Sequence, residues 1–134
     1  MGCINKIQLD LKKSNDGICF KWLEDIEFLI ARTNNPIYNA ALAQVVADHH
    51  IKHGDKPLTE EQNEFIVRRA CAIGCVKDWK NVTDEDDKPM AYDPEKMYEY
   101  LINPNHIMLW DFVWSRASHT EFYLLERKKK AVGN

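Results

Sequence analysis

Trp79-Lys80-Asn81-Val82-Thr83-Asp84-Glu85-Asp86-Asp87-Lys88-Pro89-Met90-Ala91-Tyr92-Asp93-Pro94-Glu95 joins two helical patterns, and its reading decides the fold. Trp79 stands at or just past the end of one helix. Asp84 to Pro89 reads as an acidic surface turn. Asp93-Pro94-Glu95 then opens a second helix with a capping carboxylate, a proline at the first helical position and an acid in the first turn. The stretch carries no nucleophile, no glycine-rich cradle and no catalytic pairing. Trp79, Pro89, Tyr92 and Pro94 therefore read as structural, pinning the loop between helices, and the segment points to a binding protein rather than an enzyme.

Upstream, Thr59 with Gln62 forms a capping box for a helix carrying Phe65, Ile66, Arg69, Ile73 and Val76. Before it, Asn35 caps a helix that Pro36 begins, with Tyr38, Leu42, Val45 and His49 at helical spacing and Gly54 and Pro57 at its end. Residues 1–33 differ. Ile4, Ile7, Leu9 and Leu11 alternate imperfectly, Asn15-Asp16-Gly17 marks a turn, and the β-branched and aromatic runs either side of Glu24-Asp25 predict a hairpin, giving two or three short strands. Such a hairpin is only marginally stable alone, so its apolar face must pack on helices. Downstream, a short helix carries Met97, Tyr98 and Leu101. Asn103-Pro104 starts a last helix with a stripe of Leu109, Phe112, Val113, Arg116, Thr120, Tyr123 and Leu124, widened by Trp110, Trp114 and Ala117. The expectation is one α+β domain over 1–134, predominantly helical: an N-terminal β-hairpin packed on about four helices, strand-rich to residue 33 and helical from 34 to 130.

Composition narrows the function. The chain has 134 residues and a net charge of −3, an acidic balance that argues against nucleic acid as partner. No apolar run approaches the roughly 20 residues that span a bilayer, and Met1-Gly2-Cys3 opens neither a secretory signal nor an acylation motif, since Lys6 stands where the latter wants Ser or Thr. Cys3, Cys19, Cys71 and Cys75 read as thiols in a reducing cytoplasm.

Three clusters invite chemistry. His49 and His53, with Cys71 and Cys75, could hold zinc between antiparallel helices; the plainer reading is a solvated helix end, fraying before His53, and two core cysteines. Asp84-Glu85-Asp86-Asp87 begins like a calcium loop, but Lys88 and Pro89 stand where a ligand and glycine belong. Ser14, Ser115, Ser118 and His119 have no base or orienting acid beside them. No catalytic residue, metal or cofactor is assigned. Arg127-Lys128-Lys129-Lys130 reads as cations complementing a helix C-terminus.

Two stretches carry a resemblance. Ile26-Glu27-Phe28-Leu29-Ile30-Ala31-Arg32 followed by Asn35-Pro36-Ile37-Tyr38, and then the Trp79 to Glu95 run, resemble the tail assembly chaperones of long-tailed bacteriophages in order and spacing. Asp87 departs from that pattern, which usually has glycine there. The resemblance implies a chaperone, working in the host bacterial cytoplasm, that binds and solubilises the tape measure protein and helps recruit the tail-tube protein. It also implies self-association, sometimes as a spiral, and a longer frameshifted product for which the codons of Lys128-Lys129-Lys130 would suit. Trp110, Phe112, Trp114 and Tyr123 are the expected contact residues, because interfaces are enriched in large aromatics. A structural tail or head–tail connector subunit and a small zinc-binding regulator are the alternatives.

Overall fold

The computed structural model describes residues 2–126. Its helices are α1 (Leu11–Asp16), α2 (Pro36–His53), α3 (Glu60–Gly74), α4 (Pro94–Ile102) and α5 (Ile107–Ala117), and its strands are β1 (Ile18–Lys21), β2 (Glu27–Ile30) and β3 (Val76–Lys80). The architecture is α+β and predominantly helical. The strands form one antiparallel sheet in the order β1-β2-β3.

The helix starts follow from local chemistry. Asn35 accepts from the Tyr38 amide ahead of α2, Thr59 and Gln62 form the reciprocal capping box of α3, and Asp93 accepts from the Glu95 amide ahead of α4. Asn35 does more than cap. It is buried, and its Nδ2 donates to the carbonyls of Arg32 and Gly74, tying the start of α2 to the end of α3. The two helices touch there: a Cβ on Gly74 would stand 2.4 Å from the Tyr38 Cα. Glycine is required by that approach rather than by its own backbone angles. Tyr38 is buried beside Cys71 and Cys75, and burial first, then those thiols, pushes its hydroxyl pKa up to about 12. All four cysteines are free; Cys71 and Cys75 are fully buried while Cys3 and Cys19 are exposed. The hydrogen bond to Cys75, then burial, raises the Cys71 pKa well above the ordinary thiol value.

Four expectations are corrected. Residues 4–16 form no strand: a 3₁₀ turn over Ile4–Lys6 precedes α1, whose N-cap Asp10 accepts from the amides of Lys12 and Lys13. Ile4, Ile7 and Leu11 are exposed, so their alternation marks no core face. The strands are not confined to residues before 34, because Val76 and Trp79 belong to β3 instead of continuing α3. The pairing explains the deception. Ile30 pairs with Val76 and Leu29 with Asp78, so Lys77 is an extra residue at a bulge. That bulge puts Val76 and Trp79 on one buried face three residues apart, a spacing that imitates a helix. The last helix ends at Ala117 rather than running on towards residue 130; a 3₁₀ turn over Thr120–Tyr123 leads into a bridge between Leu9 and Leu124. Finally, α2 persists through His53 instead of fraying before it.

Phe28 and Ile30 from β2, Val76 and Trp79 from β3, Met97 and Leu101 from α4, and Leu109, Val113 and Ala117 from α5 pack into one buried cluster. The acidic turn after β3 hangs from this core. Trp79 Nε1 donates to the Met90 carbonyl at 2.8 Å, and the Tyr92 hydroxyl donates to the Val76 carbonyl at 2.7 Å. Pro89 bridges to Thr83, Asp84 accepts from the amides of Asp86 and Lys88, and Pro94 is the first residue of α4. Burial, then Asp78 and Asp93, raises the Tyr92 pKa.

Candidate functional site

Helix α5 has an inner and an outer side. Leu109, Val113 and Ala117 recur at four-residue spacing and are buried, which turns Trp114 outward, while Trp110 is half-buried against the rim of the core. Those two indoles stack, with ring centroids 5.4 Å apart at 28°. The guanidinium of Arg68, from α3, lies 5.0 Å from the Trp110 centroid and donates to the Leu101 carbonyl at 3.0 Å. Its Nε is buried with no partner among the described residues. Arg68 is thus fixed by stacking and one backbone acceptor, and its Nε is unsatisfied.

Beside the indoles, Phe65, Ile102, Pro104 and Ile107 floor a groove of about 370 Å³ between α3 and the start of α5, rimmed by Glu61 and Glu64. Trp114 is 36% exposed, Phe65 41%, Ile107 45% and Met108 65%. Phe65 and Ile107 share this groove, and Arg68, which also lines it, lies over Trp110, so groove and indole pair adjoin as one apolar ledge.

The other expected contact residues lie elsewhere. Phe112 is half-buried under the hairpin, 6.0 Å from Trp22 and 6.3 Å from Phe28, with the Arg116 guanidinium 4.6 Å from its ring centroid. Tyr123 is corrected outright. It is fully buried, its hydroxyl donates to the Ile30 carbonyl at 3.0 Å, and burial raises its pKa. It closes the fold and is unavailable to a partner. The reason is the break after Ala117, which takes Tyr123 off the helical stripe and under the end of β2.

The zinc alternative also fails on geometry. Helices α2 and α3 run antiparallel with Tyr38 against Gly74, so Cys71 and Cys75 pack at the start of α2. His49 and His53, whose rings are 4.5 Å apart, sit at its far end beside Gln62 and Phe65. The eleven residues from Tyr38 to His49 put the pairs about 16 Å apart along the axis. Among the described residues, no group of three or more His, Cys, Asp or Glu side chains could hold a metal. The basic run Arg127 to Lys130 lies outside the described residues.

From Thr33 through Asn134 the chain matches the family model described as YdaY prophage protein, which marks it as phage-derived. The chain belongs to the YdaY prophage protein family. No curated protein and no solved structure matches it. The matched region begins just after β2, so β1 and β2, two of the three strands, lie before it.

Proposed function

We propose that this prophage protein is a non-enzymatic tail assembly chaperone, which holds apolar helical surface of the tape measure protein against the ledge formed by Trp110, Trp114, Phe65 and Ile107. It acts without a cofactor in the host bacterial cytoplasm and releases its client as tail-tube subunits are recruited. The observation that carries the reading is the stacked Trp110–Trp114 pair, half-buried at Trp110 and exposed at Trp114, on a helix whose opposite side is already satisfied by the core. Family membership supports a phage setting, and the likeness of residues 26–38 and 79–95 to tail chaperones supports the specific role. Trp114 is 36% exposed, so covering it removes roughly a third of the 150–250 Å² that a large aromatic can bury. At about 25 cal/mol per Å² that is on the order of 1–2 kcal/mol, a contribution suited to reversible affinity once association costs are subtracted.

The test is co-expression with the tape measure protein of the same genome, followed by size-exclusion chromatography with light scattering. The client should move from the insoluble fraction into a defined complex, and Trp110→Ala with Trp114→Ala should return it to the pellet. A client that stays insoluble, or abundant copies of this protein in purified virions, would sink the proposal; the second result would favour a connector subunit.

A further inference from the structure

A second groove opens at the hairpin-turn end of the sheet and has no part in the Trp110–Trp114 ledge. Its floor is an apolar cleft of about 210 Å³ walled by Trp22, Ile26, Trp79 and Val82. Thr83, Tyr100 and His106 line both this cleft and the hollow beneath the acidic turn, so the two are continuous. Asp84, Glu85 and Asp86 form the far wall. None of the four carboxylates from Asp84 to Asp87 meets a cation within 4 Å among the described residues, and Lys96, which also lines the hollow, is paired with Glu99. A ligand for this groove needs cations at one end and a small aliphatic group at the other.

The chain carries such a segment. Arg127-Lys128-Lys129-Lys130-Ala131-Val132 contains the sole run of four consecutive basic residues, opposite in charge to the sole run of four acidic ones at Asp84 to Asp87. The last described residues before this segment and the acidic turn lie at opposite ends of the sheet. Leu124 bridges to Leu9, the Leu125 amide donates to the Gln8 carbonyl, and Tyr123 is bonded to Ile30, all at the Ile18/Ile30 end. The acidic turn follows Lys80 at the other end, where Asn81 donates to the Asp25 carbonyl in the hairpin turn. We propose that Arg127–Val132 of one copy docks in this groove of a second copy, the lysines along the acidic wall and Val132 in the cleft. Because the donor and acceptor surfaces differ, the contact is head-to-tail; it closes as a reciprocal exchange between two copies, closes as a larger ring, or runs on as an open filament. Exposed ion pairs contribute little singly, so the assembly is weak and salt-sensitive.

The experiment is sedimentation velocity of the full chain alone, over a concentration series in low salt. The weight-average mass should rise with concentration and fall to that of one chain at about 1 M salt, where charges are screened beyond about 3 Å. Glu85→Lys with Asp86→Lys should abolish the rise, and so should Lys128→Glu with Lys129→Glu and Lys130→Glu. Mixing the two variants should restore it, since each then offers the other a complementary contact. A wild-type chain that stays monomeric, a mixture that stays monomeric, or a mass unchanged by concentration while Trp22 and Trp79 emission responds to salt would each overturn the proposal, the last by showing that the segment binds its own copy. No client is present in this experiment, so its outcome is independent of the chaperone reading.

Discussion

Helix α5 carries two aromatic faces built from nearly the same parts. Towards the hairpin, Phe112 meets Trp22 and Phe28, and Arg116 stacks on Phe112 and Phe122. Away from it, Trp110 and Trp114 stack on each other and Arg68 lies over Trp110. Both are aromatic clusters with an arginine on the ring face, the side where a π-system attracts a cation. They differ in what lies above them. Phe112 sits under Trp22 and Phe28, with Phe122 exposed at the edge of that cluster, whereas on the other side Trp114 itself remains more than a third exposed. Residue type alone therefore does not separate a covered aromatic from an exposed one; what packs over it does.

Substitutions can test that division. Phe28→Ala empties a buried position beneath the covered face and should lower unfolding free energy by about 3–5 kcal/mol in denaturant titrations. Tyr123→Phe keeps the ring and removes only the hydrogen bond to Ile30, so a loss of about 1–3 kcal/mol is expected, from an unmade bond at a buried carbonyl. Asp87→Gly should act in the opposite direction, raising stability by about 0.5–1 kcal/mol, since Asp87 has φ +60° and glycine accepts that angle without strain; client binding should not change. Trp114→Ala should shift stability least, by under about 1 kcal/mol, yet weaken client binding at least tenfold, about 1.4 kcal/mol or more. A Trp114→Ala variant as unstable as Phe28→Ala would show that the two faces are one core and would dissolve the comparison.

What could be read from the sequence was what is local. Asn35, Thr59 with Gln62, and Asp93 announce helix starts within three residues of themselves, and each caps its helix in the structure. The hairpin was equally legible from its turn and its β-branched flanks. Glycine in the resembled pattern at the position of Asp87 was also informative, because that residue adopts the left-handed angle glycine favours. Non-local features were hidden. The third strand was masked by a bulge that gives Val76 and Trp79 helical spacing. Tyr123 was expected to be a contact residue because its acceptor, the Ile30 carbonyl, is 93 residues away in sequence. The proposed site was half legible: Trp110 and Trp114 stood out, but Arg68 and Phe65 join them only because α4 packs on both α3 and α5, a tertiary relation no periodicity encodes.

The four thiols offer a labelling clock. Two, Cys3 and Cys19, face solvent, while Cys71 and Cys75 are sealed at the α2–α3 junction with the Cys71 proton held by its neighbour. A maleimide should add twice within minutes and then pause. The slow third and fourth additions would time the spontaneous parting of α2 from α3, residue-specific opening kinetics obtained from mass spectrometry of the unmodified sequence.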